Sequence, residues 1–274
     1  MTIPIKLYEP LYQLKPIAEN IWIVDGPAIE MSFDLTKVPF STRMTVVKLA
    51  NGILWCHSPI EPNQALLDSL DQLGEVAYLI GPNKLHYAYL QAWKDLYPLA
   101  QVWLAPGVNQ RARAQQMPLP QGQELTDQAP PDWSAELDQD LFKGSRFMQE
   151  AVFFHKASKT LILTDMIENI ETHQMKPHQL LLYKLGDNAY PNGKTPRDLR
   201  LTFLGHKSEA KVSFEILKNW KPEKIILAHG QCLLENGQEA LKRAFQWVGE
   251  ENEYVLSIYG RKRSTEFFQN YKAL

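Results

Sequence analysis

Two apolar runs in the second half of the chain each end on a side chain able to bind a metal. Lys159-Thr160-Leu161-Ile162-Leu163 runs into Thr164-Asp165, and Lys224-Ile225-Ile226-Leu227-Ala228 runs into His229-Gly230. Both have the length and composition of a buried strand. Layered α/β proteins present ligand and metal groups where strands end. A carboxylate and an imidazole arriving at two such ends predict a metal-centred site. Either residue could instead serve the backbone, Asp165 as a helix cap and His229 as a turn residue.

The elements that must position these groups follow from periodicity. Ile21–Asp25 and Met44–Leu49 read as strands, and Asn51-Gly52 marks a hairpin turn before Ile53–Cys56, which ends at His57-Ser58-Pro59. Ala65, Leu66, Leu70 and Leu73 keep helical spacing, predicting a helix over Pro62–Leu73. A strand over Val76–Ile80 stops at Gly81-Pro82, a helix follows over Tyr87–Tyr97, and Val102–Ala105 is a further strand. Residues 107–140, rich in Gln, Pro and Asp, read as a helical stub and a connector. Ala151–Phe154 and Thr160–Leu163 predict a hairpin about Lys156-Ala157-Ser158. Residues 168–202 are irregular, a loop or short helices over the site. Helices are expected over Ser208–Trp220 and Glu239–Val248, flanking the strand at 224–228. Strands first, then strand–helix units, then a restart of that pattern predict two mixed sheets packed as a sandwich between helices.

Composition narrows the function classes. The 274 residues are 45% hydrophobic and 22% charged, enough for a large core and read as one domain over 1–274. A net charge of −2 asks for no nucleic-acid partner, and Arg261-Lys262-Arg263 reads as a solvated helix or turn. Cys56 and Cys232 are too few for a disulfide framework or a four-cysteine zinc site. The start of the chain lacks the basic and apolar regions of a signal peptide. No run approaches about 18 consecutive apolar residues, so no membrane span is expected. A cytoplasmic protein with a small-molecule substrate is the expectation, its oligomeric state left open. No Gly-x-Gly-x-x-Gly follows a strand, which argues against a dinucleotide cofactor.

The order of these features resembles the metallo-β-lactamase fold, an αββα sandwich, and within it the domain-of-unknown-function family 4336. The resemblance is carried by Arg43–Val47, His57-Ser58-Pro59-Ile60, Gly81–Tyr87, Glu150–His155, Leu163-Thr164-Asp165 and Ala228-His229-Gly230. Typical members of that superfamily carry a His-x-His-x-Asp-His cluster after an early strand. Here the equivalent turn reads Pro82-Asn83-Lys84-Leu85-His86-Tyr87, so Pro82 and Lys84 stand for the first two histidines and His86 for the aspartate. The later histidine is also missing, with Phe147 near its place and Glu150 shortly after.

The resemblance therefore implies a reduced site. Asp165 and His229 match by position, and His86 and Glu150 stand in by proximity, giving His86, Asp165, His229 and Glu150 as metal ligands. Glu150 and Asp165 are the catalytic candidates, Glu150 as fourth ligand or base. Imidazole and carboxylate donors suit one divalent ion, zinc foremost, with iron or manganese also compatible. Such an ion acidifies water and polarises a substrate oxygen, which implies hydrolysis of an ester, thioester, amide or phosphoester. Two alternatives stay open: a catalytically degenerate small-molecule binder, for which 7 Trp and 11 Tyr could line a pocket, and an iron-centred redox protein. Around this set, His57 is a candidate supporting residue. Tyr87 could orient substrate, and Arg43 could pair with Asp25 or Asp165 or bind a substrate carboxylate. Cys56 and Cys232 could ligate or simply be buried. His155 reads as exposed beside its turn, and His173, His178 or His206 could reach in from a lid.

Overall fold

The computed structural model describes residues 5–33, 36–172 and 177–249. The chain opens with β1 (Lys15–Ala18), β2 (Ile21–Phe33), β3 (Thr36–Lys48) and β4 (Leu54–His57). Neighbours among these four pair antiparallel. Gly52, at φ +87°, makes the turn into β4 and donates its N–H to the Leu49 carbonyl at 2.8 Å. Strand–helix units follow: α1 (Gln64–Leu73), β5 (Val76–Gly81), α2 (Leu90–Leu96), β6 (Gln101–Leu104), α3 (Val108–Ala114) and β7 (Gln123–Glu124). Each helix carries the chain back, so β4 to β7 are parallel and complete a sheet of order β1 to β7.

The second sheet holds β8 (Leu137–Phe142), β9 (Glu150–His155), β10 (Thr160–Ile162) and β11 (Lys224–Ile226). The first three are antiparallel, and β11 lies parallel to β10. Between β10 and β11 lie α4 (Pro177–Gly186), α5 (Arg197–Leu201) and α6 (Lys207–Asn219); α7 (Gly237–Ala244) and α8 (Gln246–Gly249) follow. Alternation along the strands separates two cores. Ala151, Phe153, Ile162 and Ile226 face the first sheet beside Met44 and Trp55. Val152, Leu161 and Ile225 face outward against Leu217, Leu241 and Phe245 of the helical layer. Burial on both faces is why these strands read as unbroken apolar runs rather than alternating ones. Helix, sheet, sheet, helix is the layering expected from the sequence. No helix among the described residues is long and apolar enough to cross a membrane.

Several expectations change. β2 and β3 continue well past Asp25 as a long hairpin, with a register shift between Asp25 and Ala28. Gly26-Pro27 looks like a strand end, but Gly26 permits a close approach: a Cβ there would lie 2.5 Å from Thr42 Oγ1. The connector at 107–140 contains β7 and β8. The Asp and Gln of Leu137–Phe142 lower its strand propensity, and pairing with β9 overrides that. The helix expected from Tyr87 begins at Leu90, and the closing helix breaks at Phe245 into α7 and α8. Residues 168–202 contain the short helices α4 and α5. His173 and Arg261-Lys262-Arg263 lie outside the described residues, as does the side chain of His178.

Phe153 is fully buried, its ring 4.8 Å from Trp55 and 5.5 Å from His57, and it ties the inner faces of the two sheets together. Phe153→Ala is expected to destabilise the fold by about 3–5 kcal/mol, read from the denaturant midpoint at unchanged slope.

Candidate metal centre

The centre forms where the ends of both sheets meet. The turn after β5 brings His86, the residues after β10 bring Asp165, and those after β11 bring His229. One donor atom from each lies within 4.8 Å of the others. His86 Nε2 and His229 Nε2 are each 3.3 Å from Asp165 Oδ1.

Asn83 organises the first arm. It is fully buried, and its Oδ1 accepts from the backbone N–H of Leu85 at 2.8 Å and of His86 at 3.1 Å. An Asx turn of this kind competes with helix, which is why α2 starts later than periodicity predicts and His86 stays on a turn. The Asn83 amide faces Asp165 Oδ2 at 2.6 Å, Thr164 Oγ1 at 2.9 Å and Glu150 Oε2 at 3.1 Å. Ser58, at φ +54°, sits with its hydroxyl 2.7 Å from His86 Nδ1. An Asn directly after a strand-ending Gly-Pro is a turn signal in the sequence, and it went unused as a mark of the site.

Glu150 does not join the three converging groups. Its Oε1 accepts from the Thr164 N–H and its Oε2 from the Asp165 N–H, both at 2.8 Å. Both oxygens are thereby committed to holding the backbone that carries Asp165. Burial pushes its carboxyl up, and the charge of Asp165 adds to the effect. The expected fourth ligand or base is instead a brace behind the site.

The third arm is held from the first sheet. His229 Nδ1 lies 2.8 Å from the Ser41 carbonyl, which can only accept, so Nδ1 carries a proton and Nε2 is turned to the centre. Gly230, at φ +87°, turns the chain immediately afterwards, where any Cβ would strike the Asn169 backbone. Arg43 is buried and clamps this turn. Its Nη1 donates to the carbonyls of Leu227 at 2.6 Å and Gly230 at 2.8 Å, while Nε donates to Asp25 Oδ1 at 2.7 Å. Arg43 thus pairs with Asp25 and not with Asp165.

The electrostatics demand positive charge at the point of convergence. Two imidazole nitrogens and a carboxylate oxygen facing one another repel unless a proton or a cation sits between them. Burial opposes ionisation of Asp165, yet His86 and His229 outweigh it and hold the carboxyl well below the usual range. Burial likewise opposes charging of His86, and Asp165 reverses the balance, so this imidazole is raised above 6.5. Beside them Glu168, which sequence reading did not single out, is buried. Its carboxyl is pushed up to about 7 by burial, with His229 acting against the shift and Asp165 with it. Asn188 Nδ2 donates to it at 2.7 Å. A small pocket of about 60 Å³ opens beside His86 and His229, lined also by Ile29, Thr42, Ser58 and Tyr89.

The other candidates lie elsewhere. His57 is sandwiched between Trp55 and Phe153, and burial, followed by His86, pushes it down to about 3. His155 is buried rather than exposed, its Nδ1 2.7 Å from Ser158 Oγ. His206 is near Glu209, 3.2 Å away, and does not approach the centre. Cys56 is a buried thiol pushed up to about 12, and Cys232 accepts from Arg43 at 3.3 Å. The Tyr87 hydroxyl is engaged by Gln115. Lys84 lies over the Phe147 ring, its ammonium 4.0 Å from the ring centroid. Burial and then Arg111 push its amine down to about 8.

Two packed sheets between helices, with side chains able to ligate a metal gathered at one rim, define a protein of the metallo-β-lactamase fold. The chain belongs to the family described as a Domain of unknown function (DUF4336), whose model matches residues 19–201. It is similar in structure to the DIM-1 metallo-β-lactamase exposed to ceftazidime, with a TM-score of 0.58 and 11% identity over 89% of this chain and 98% of that one. It is similar also to a metallo-β-lactamase from Pontibacter korlensis, with a TM-score of 0.54 and 13% identity over 87% of this chain and 99% of that one. A metal-soaked Flv1 flavodiiron core from Synechocystis sp. PCC6803 matches with a TM-score of 0.56 and 13% identity, over 88% of this chain and 62% of that one. Among curated proteins no sequence matches. Likeness at these identities speaks for the fold, and the chemistry must be argued from the site.

Asn83→Ala removes the Asx turn and leaves two buried carboxylates short of a donor. It is expected to lower stability by about 2–3 kcal/mol in thermal or denaturant unfolding. It should also shift the His86 ring resonances far more than those of His155.

Proposed function

We propose that the chain is a hydrolase dependent on one divalent ion, held by His86 Nε2, Asp165 Oδ1 and His229 Nε2, and acting on a small ester, thioester, amide or phosphoester. The observation that carries this reading is three donor atoms within 4.8 Å of one another, each fixed from behind by a partner. Imidazoles whose second nitrogen is held by a hydroxyl or carbonyl are oriented as metal ligands are. Two nitrogens and one oxygen match a catalytic zinc site, which keeps three protein ligands and one open position. An ion held there supplies a Lewis acid and lowers the pKa of water towards neutrality. Around it, Ser58 orients the His86 ring, Ser41 fixes the His229 tautomer, and Asn83 and Glu150 hold Asp165 in place. The small pocket beside both histidines offers a place for a compact substrate. The same donors suit iron or manganese. An iron-centred redox role is a second reading, favoured by the likeness to the flavodiiron core.

Elemental analysis of the purified protein, before and after reconstitution with zinc, iron or manganese, tests the proposal. About one ion per chain is expected, lost in His229→Ala and in Asp165→Asn. Hydrolysis of a panel of activated esters, thioesters, amides and phosphoesters should fall at least about 100-fold in both variants. Failure to take up any transition ion overturns the proposal and favours a binding protein without catalysis. Iron with no hydrolysis favours the redox reading. Metal uptake carries a pH signature as well. His86 must be neutral to ligate, and its value is raised above 6.5. Apparent metal affinity should therefore rise as pH rises through that raised value and level off above it, measured by competition with a chelator.

A further inference from the structure

Among the described residues, two cations, one in the turn that carries His86 and one on the neighbouring helix α3, have no acidic partner. Lys84 lies in the turn that carries His86, immediately after the buried Asn83. Its side chain is half-buried, and its ammonium sits over the Phe147 ring, 4.0 Å from the centroid. Arg111, on α3, is near enough for its charge to act on that amine. Its guanidinium donates to the Gln115 side-chain carbonyl at 2.9 and 3.3 Å, a neutral acceptor, in the amide orientation that also lets Gln115 donate to the Tyr87 hydroxyl. Among the described residues, no carboxylate lies within ion-pair distance of either cation. Gly107, at φ +91°, caps α3 one turn before Arg111, and a Cβ built there would lie 3.9 Å from Lys84 Cδ, so the lysine stem passes beside the start of that helix.

Two cations kept close together without an acidic partner repel each other. The nearby carboxylates are engaged otherwise, Glu150 on backbone N–H groups and Asp165 on the two imidazoles. An external anion would neutralise the pair. Residues two apart in sequence have Cα atoms at most about 7 Å apart, so the Lys84 side chain springs from the same turn as His86.

We infer that Lys84 and Arg111 form an anion subsite beside the metal centre, taking a carboxylate or phosphate group of the substrate. As a statement about substrate it rests on the hydrolase reading above; as a binding site for an anion it does not. An ammonium gives a point charge and a guanidinium a planar fork, and both chemistries bind either group. The Phe147 ring fixes the lysine without neutralising it, which leaves the charge available.

Calorimetric titration of the protein with inorganic phosphate and, separately, with acetate tests this, in metal-loaded and metal-free forms. Wild-type protein should bind at least one of the two. Lys84→Met and Arg111→Gln should each weaken that binding at least tenfold with ion content unchanged, and Lys84→Arg should restore most of it. Phosphate alone binding points to a phosphoester substrate, and acetate alone to a carboxylate-bearing one. The metal-free arm removes any direct ligation of the anion by an ion. Lys84-dependent binding there, with no metal uptake, leaves the subsite standing and sinks only the hydrolase reading. Binding that is equal in wild type, Lys84→Met and Arg111→Gln overturns the subsite, as does binding of neither anion by wild type. Should Lys84→Met fail to fold, Arg111→Gln carries the comparison by itself.

Discussion

A single carboxamide holds the centre together. The Asn83 oxygen shapes the turn that presents His86, and its nitrogen meets Asp165, Thr164 and Glu150 on the opposite sheet. One neutral side chain thus fixes the distance between an imidazole on one sheet and a carboxylate on the other. A charged residue could not do the same. A carboxylate there would repel Glu150 and Asp165, and an ammonium has no acceptor with which to hold the turn. The donor–acceptor duality of the amide is the constraint from which the rest of the centre follows.

Behind that amide, polar groups are spent on backbone rather than on substrate. Glu150 binds two consecutive N–H groups, and Arg43 binds two carbonyls of the turn leading to and from His229. Buried charges of this kind are tolerable only when each is fully hydrogen-bonded. Each also serves one end of the centre, Glu150 the Asp165 strand end and Arg43 the His229 turn. The three converging side chains are therefore set by a hydrogen-bonded frame that spans both sheets.

The departures from the superfamily's usual cluster fall together in space. Lys84 and Phe147, which stand where two histidines would, touch each other as an ammonium over a ring. His86, two residues on in the same turn, converges with Asp165 and His229.

Much of this was legible in the chain. Apolar runs ending at Asp165 and His229 gave the strands and the side chains they present, because residues buried on both faces leave an unbroken apolar signature. The helix α1 followed from spacing, and the order of elements implied the two-sheet sandwich. Strands such as Leu137–Phe142, and the extension of β2 and β3, were hidden because cross-strand pairing, not local preference, makes them strands. Glu150 was legible as an acid at the start of a strand, a stand-in ligand by proximity, but whether it ligates or braces depends on which atoms lie opposite its oxygens. Sequence alone determined which ionisable groups the chain would carry to the ends of its strands. Only the tertiary structure decided which of them meet and which serve the backbone, since hydrogen bonds between residues far apart in the chain have no local pattern to betray them.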